Sequence, residues 1–202
     1  MSSPGVRNGS PDWLGGKPGG GIMAAMPTDI ADLAGLIDSA CRIRGKFTLR
    51  SGIVTDEYFD KYRFEGDPEL LRRVAEHMVP LLPADTEVLG GLELGGVPIA
   101  TILSAITGLP AIFVRKKAKT YGTCRLAEGG DFAGQTVTLV EDIITTGGAV
   151  RDAAIALRER EATVHTVVCA IDRSEPGGNT LSEIGVTTYA VLTKADLDAA
   201  RR

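Results

Sequence analysis

The chain has 202 residues, 44% of them apolar and 24% charged, and 22 Lys and Arg face 26 Asp and Glu for a formal charge of −4. This composition belongs to one large globular domain with an appendage rather than to two full domains, and the net acidity recruits neither nucleic acid nor an anionic membrane. No stretch approaches about 18 uninterrupted apolar residues and no apolar h-region opens the chain, so a cytoplasmic protein is expected, with neither a spanning helix nor a secretory signal. The three cysteines, Cys41, Cys124 and Cys169, are far apart, and His77 and His165 stand at no metal-ligand spacing from them. Reduced thiols and no zinc site are expected.

From Met1 to Gly21 the chain carries seven glycines and three prolines around Val6, Trp13 and Leu14, too little apolar surface to offset the entropy of ordering it. A disordered tail over residues 1–26 is expected, with Met23 and Met26 as alternative starts. Ile30, Leu33, Ala34, Ile37, Ala40 and Cys41 then recur at helical spacing behind Thr28 as N-cap, with Asp29 and Asp32 in the first turn. Phe47 and Leu49, a Ser51-Gly52 turn, and Tyr58 and Phe59 predict a strand-turn-strand. Asp67-Pro68 opens a second helix through Val79, which Pro80 and Pro83 stop.

Beyond this point the chain alternates. Strand Val88-Leu89, a glycine loop, helix Pro98 to Thr107, strand Ala111 to Val114, a polar loop, strand Val137 to Val140, helix Ala149 to Arg160 and strand Val164 to Ala170 form a βαβ series. Such a series predicts a parallel sheet whose ligands bind beyond the carboxyl ends of the strands.

The loop placed after Val140 reads Glu141-Asp142-Ile143-Ile144-Thr145-Thr146-Gly147-Gly148-Ala149. Paired acids accept hydrogen bonds from a vicinal diol, and the Thr-Thr-Gly-Gly run leads into a helix N-terminus that favours phosphate. Diol and phosphate in one loop describe a ribose 5-phosphate. Arg115, Lys116, Lys117 and Lys119 crowd four cations into five positions, followed by Tyr121, Gly122, Cys124 and Gly129-Gly130, the pattern of a long mobile lid whose lysines close over a diphosphate. The loop from Gly90 to Gly96 leads at once into Val97-Pro98 and reads as a backbone-lined anion site. Neither the dinucleotide fingerprint nor the Walker pattern is present.

VTLVEDIITTGGA resembles the phosphoribosyl-diphosphate (PRPP) motif of the type I phosphoribosyltransferases. GKFTLRSG (residues 45–52), YFDKYRFE (58–65), GLELGGVPIAT (91–101), FVRKKAKTYG (113–122) and AIDR (170–173) are similar, in the same order, to the orotate phosphoribosyltransferase family. The resemblance runs from about Thr28 to the C-terminus. It implies an α/β fold with a central, mostly parallel sheet flanked by helices, a small N-terminal hood over about 27–65 and a mobile catalytic loop, all within a single domain over 27–202. The implied activity is magnesium-dependent transfer of the ribosyl 5-phosphate group from PRPP to orotate. The alternatives are another base, such as a purine, or a regulator that senses PRPP without turning it over.

By this resemblance Lys119, Glu141 and Asp142 are the catalytic residues. Arg115, Lys116, Lys119, Tyr121, Leu94, Gly95, Glu141, Asp142, Ile143, Ile144, Thr145, Thr146, Gly147, Gly148 and Ala149 bind PRPP. Arg50, Tyr58, Phe59, Thr145 and Arg173 bind orotate. Magnesium is implied mainly on PRPP, near Glu141 and Asp142, and the implied assembly is a homodimer in which Lys119 reaches into the neighbouring site. Two departures stand out: Tyr121 where many relatives carry histidine, and Leu94-Gly95 where some carry Tyr-Lys. Taken singly, Phe59 also reads as core, and Arg50 and Arg173 as surface charge. Likewise His77 reads as solvent-facing, His165 as structural, and Glu161 is an unexpected residue for the end of a helix where glycine enters the left-handed region without strain.

Overall fold

The computed structural model describes residues 30–48, 52–116, 126–175, 178 and 180–201. Helix α1 (Ile30–Cys41) buries Leu33, Ala34, Ile37 and Cys41, the stripe that its helical spacing predicts. Thr28 and Asp29, the expected start signals, lie outside the described residues. The chain passes directly into β1 (Arg42–Thr48), which pairs antiparallel with β2 (Val54–Phe59), so the first strand begins five residues before Phe47. Arg42 fastens this hairpin to the helix, bonding Asp38 at 2.6 Å and Glu57 at 2.8 Å.

One turn, α2 (Tyr62–Glu65), buries Phe64 and leads to α3 (Pro68–Met78). The Asp67 carboxylate accepts from the Glu69 and Leu70 amides, both at 3.0 Å, and Pro68 occupies the first helical position. Start and cap are as the sequence predicts, and such a cap is worth about 1 kcal/mol.

There follow β3 (Val88–Leu92), α4 (Gly96–Thr107), β4 (Ala111–Val114), β5 (Ala127–Glu128), β6 (Thr136–Ile144), α5 (Gly148–Arg158), β7 (Thr163–Asp172), β8 (Thr187–Thr193) and α6 (Lys194–Ala199). The sheet order is β5-β4-β3-β6-β7-β8, parallel throughout except for the edge pair β4–β5. Alternation along each strand sorts side chains onto two faces. Leu89, Val140 and Val168 join α1, α3 and α4 in one core, while Val88, Leu139 and Val167 meet Val150, Ala154 and Leu157 of α5 in the other.

The expected parallel α/β sheet is present, and β4 has the expected bounds. Three other strands reach further. β3 takes in Gly90 and Gly91, which pair with Leu139 and Val140. β6 takes in Glu141 to Ile144, and β7 extends to Asp172. The segment read as a loop after Val140 is therefore strand for four of its residues. Pairing decides this: Glu141 lies opposite Cys169, Ile143 opposite Ile171 and Ile144 opposite Asp172, so the ladder continues through the acids. Helix α4 starts at Gly96, two residues before Pro98, and the short strand β5 and the final β8–α6 unit have no counterpart in the sequence reading.

Helix α5 ends at Arg158 rather than Arg160, and the chain leaves it through Glu161 at φ 67°. The Ala162 amide donates back to the Leu157 carbonyl at 3.2 Å, and the Glu161 carbonyl accepts from Gly134 at 2.9 Å, which fixes the left-handed turn in place. A Cβ in that region costs roughly 1–2 kcal/mol, against which glycine's greater freedom in the unfolded chain must be set. Glu161→Gly is therefore expected to stabilise the fold by up to about 1 kcal/mol, read as a higher denaturant midpoint. An unchanged or lowered midpoint would show that the turn carries no strain.

Candidate functional site

The paired ends of β6 and β7 gather most of the expected residues. Because Ile144 stands opposite Asp172, the next residues along each chain, Thr145 and Arg173, emerge side by side, and the Arg173 amide donates to the Ile144 carbonyl at 2.8 Å. Gly147, at φ 77°, turns the chain into α5, and a Cβ there would also meet Leu181 at 2.9 Å. Thr145, Thr146, Gly148 and Ala149 remain exposed at the start of this 11-residue helix, whose unpaired amides and dipole favour an anion. Ile143 and Ile144 stay in the strand beneath it, Ile144 buried.

Glu141 and Asp142 are buried one step back along β6. The Glu141 carboxylate accepts from the Asp142 amide at 3.1 Å, and Asp142 Oδ1 accepts from the Ile143 amide. Asp142 Oδ2 faces the turn between β3 and α4 so closely that a Cβ on Gly95 would lie 1.7 Å from it. This glycine is thus required by contact, and a Cβ on Gly96 would lie 2.2 Å from the Val140 carbonyl. In the same turn the Glu93–Leu94 peptide is cis and Leu94 points outward, 63% exposed. Neither Leu94 nor Gly95 thus brings a polar side chain to this turn, where the sequence predicts main-chain contacts to an anion.

Two residues that the sequence reading left without a role complete the cluster. The Lys61 ammonium bonds Asp142 Oδ2, and Glu65, only 9% exposed, aims an unpartnered Oε1 at the same place, 2.6 Å from a Cβ built on Gly95. Burial, followed by hydrogen bonding and repulsion from Asp142, raises the Glu65 carboxyl to about 8 and that of Glu141 to about 9. Burial also works against charge on Asp142, but hydrogen bonds with Glu141, Glu65 and Lys61 outweigh it and hold Asp142 below the usual range. The cluster thus pairs Asp142 with Lys61 and shifts Glu65 and Glu141 toward their protonated forms.

At the end of β4, Arg115 is half-buried and Lys116 is exposed, its amide donating to Glu93 Oε1 at 2.8 Å. That bond ties the root of the basic segment to the glycine turn, and nothing in the sequence marked Glu93 for it. Lys117, Lys119, Tyr121 and Cys124 lie outside the described residues, as does Arg50. On the base side, the Arg173 guanidinium stacks over the Phe59 ring at 5.2 Å. Tyr58 is not brought to them: as the neighbouring strand residue it points to the other face of the hairpin, against Phe47 at 5.5 Å.

Cys41 and Cys169 are free and buried, and burial pushes the Cys41 thiol up to about 11 and that of Cys169 well above the usual range. His165 bridges Asp85 and Thr166, both at 3.0 Å, a structural role, and His77 is only half-buried. Among the described residues no helix is long and apolar enough to cross a membrane, and no group of three or more His, Cys, Asp or Glu is placed to hold a metal alone.

Paired buried acids lie behind an exposed helix start at the carboxyl ends of a parallel sheet, the place where sheets of this kind bind their ligands. The phosphoribosyl transferase domain family matches residues 70–182. The orotate phosphoribosyltransferase of Nocardioides sp. is 65% identical over 171 residues, covering 85% of this chain and 96% of that protein. That of Halobacterium salinarum is 41% identical over 82% of this chain and 95% of its own. Among solved structures, the Mycobacterium tuberculosis orotate phosphoribosyltransferase in complex with PRPP superposes with a TM-score of 0.72 at 31% identity, covering 85% of this chain and 99% of that one. The chain belongs to the orotate phosphoribosyltransferase family.

The raised acids make their own contribution to the pH dependence of stability. With these carboxyls raised above their ordinary value, the folded state holds protons that the unfolded chain releases above about 4.5, so the stability they contribute is fully present below that value and is lost as pH rises toward about 8 to 9, while the lowered Asp142 contributes in the opposite sense at low pH. Glu65→Gln keeps the shape without the proton. Its melting temperature is expected to match the wild type near the low end of this window and to exceed it at the high end. Parallel melting curves at all pH values would show that Glu65 does not titrate in this range.

Proposed function

We propose that this chain transfers the ribosyl 5-phosphate group from PRPP to N1 of orotate, giving orotidine 5′-monophosphate and diphosphate, as an enzyme of pyrimidine nucleotide synthesis in the cytoplasm. The observation that carries this reading is the adjacency of Thr145 and Arg173 at the paired ends of β6 and β7, which sets a ribose-phosphate loop beside a cation stacked on an aromatic ring. The α5 start takes the 5-phosphate. Glu141 and Asp142 accept the ribose hydroxyls, the Gly95–Gly96 amides face the diphosphate, and Arg173 with Phe59 holds the flat, anionic base.

Such a site needs no covalent nucleophile. The C1–O bond breaks with oxocarbenium character while Arg115, Lys116, Lys119 and main-chain amides stabilise the charge developing on the diphosphate, and fixed dipoles do this without reorganisation. Magnesium fits these surroundings as an ion carried on the donor's oxygens: Glu141, Asp142 and the unpartnered Glu65 Oε1 offer oxygen at its edge but no protein-only cage. When bound, it supplies further positive charge to the leaving group. We read residues 27–202 as one domain with its hood over about 27–65, and the assembly as a homodimer with shared sites.

The test of the reaction is the fall in orotate absorbance on adding PRPP and Mg²⁺, with adenine, hypoxanthine and uracil in parallel. Turnover is expected with orotate alone. Purine turnover, or PRPP binding without turnover of any base, would replace this assignment.

Sharing of sites predicts complementation. Lys119→Ala and Arg173→Ala are each expected to be nearly inactive, the first through kcat and the second through orotate KM. If Lys119 serves the neighbouring subunit, a mixed dimer holds one site with both defects and one intact site, and activity returns on mixing. Continued inactivity, with subunit exchange verified by mass spectrometry, would place Lys119 in its own subunit's site.

A further inference from the structure

The turn facing the leaving group, Glu93-Leu94-Gly95-Gly96, contains no cation of its own, and its one charged side chain is an acid bonded to the Lys116 amide. No side chain can reach the site from position 95 while Asp142 and Glu65 stand where they do, because a Cβ there would overlap Asp142 Oδ2 and crowd Glu65 Oε1. A cation nevertheless sits at this place. It arrives from outside the turn, on Lys61, between β2 and α2, and it borders the same carboxylate oxygen as Gly95. Its other close neighbour is the Tyr62 ring, 5.3 Å from Nζ.

We propose that Lys61 is the cation the turn lacks, a substrate-contacting residue held on Asp142 in the free protein and paired with the diphosphate of PRPP once the ribose hydroxyls occupy Asp142. This inference rests on the proposed function and adds a residue to its donor site.

Three features of Lys61 suit the exchange. Its side chain is 32% exposed although its partner is buried, so it is within reach of a ligand arriving from solvent. An ammonium has three donors on a flexible four-carbon stem, and it can turn toward a new anion without losing its old one. Binding also changes what Asp142 needs, since two hydroxyl donors reach the acids while a polyanion arrives a few ångströms away, at the Gly95 backbone. A lysine serving only to neutralise Asp142 would stay where it is and respond to the sugar alone, whereas a diphosphate ligand distinguishes PRPP from ribose 5-phosphate.

That difference is the experiment. Calorimetry in one magnesium buffer compares PRPP with ribose 5-phosphate on the wild type, Lys61→Met and Lys61→Arg. The neutral variant is expected to lose about tenfold or more in PRPP affinity, the scale of one charge-assisted hydrogen bond, with ribose 5-phosphate affinity within about twofold of the wild type. K61R is expected to recover most of the loss. Equal losses for both ligands would make Lys61 a structural counter-ion and overturn the proposal. A wild type that does not prefer PRPP over ribose 5-phosphate would instead overturn the donor assignment beneath it. Should K61M fail to fold, the unaltered protein decides: PRPP or inorganic diphosphate is expected to protect Lys61 from an amine reagent, read by peptide mass spectrometry, and ribose 5-phosphate to leave it reactive. Equal reactivity under all three would likewise overturn the proposal.

Discussion

A carboxylate oxygen and a missing side chain share one small volume at the centre of this molecule. Asp142 Oδ2 occupies the space where residue 95 would begin its side chain, and the Val140 carbonyl does the same to residue 96. The turn after β3 therefore lies directly on the strand β6, and backbone amides are brought within reach of the paired acids. Larger residues at 95 or 96 would lift the turn and open the donor site from below. The strand order, with β3 beside β6, is what makes the approach possible.

That closeness has an electrostatic cost which the surrounding groups share. Three carboxyls meet one ammonium in a space largely closed to water, and full ionisation of all three would leave uncompensated buried charge. The shifts run in the direction that relieves this: Asp142, paired with Lys61, is held below the usual range, while Glu65 and Glu141 are raised toward protonation. The free site is thereby held close to neutrality while retaining acceptors for hydroxyl donors. On the far side, the Arg173 guanidinium stacks on an aromatic ring.

Much of the architecture was legible because it is written locally. The Asp67-Pro68 cap, the apolar stripe of α1 and the Ala111–Val114 run each state their structure within a few residues. The ends of strands are set by partners instead. Glu141 to Ile144 look like loop because acids depress strand propensity, yet the neighbouring strand carries the ladder through them. β5 has only two residues, and β8, along a sheet edge, breaks its alternation at Val191 and buries only Leu192, so neither offers a strong period. In the site, Glu141, Asp142, Thr145 and Arg173 follow from motif and topology. Lys61, Glu65 and Glu93 do not: the contacts with Asp142 span 81 residues for Lys61, and Glu93 reaches the chain 23 residues on, distances at which sequence spacing carries no information. Tyr58 is set apart from Phe59 by strand alternation, which its motif does not reveal.

The hairpin strand β2 delivers Phe59, and two residues later the chain delivers Lys61. One touches Arg173 on the base side, the other Asp142 on the sugar side. A single short stretch of backbone thus grips both halves of the cleft, braced from behind by the Arg42 bonds to Asp38 and Glu57. Any drift of that backbone would disturb both contacts together. On the proposed function, a hairpin shift that altered the fit of the base would therefore reach the sugar side as well, whereas a side-chain exchange on a stationary frame would not.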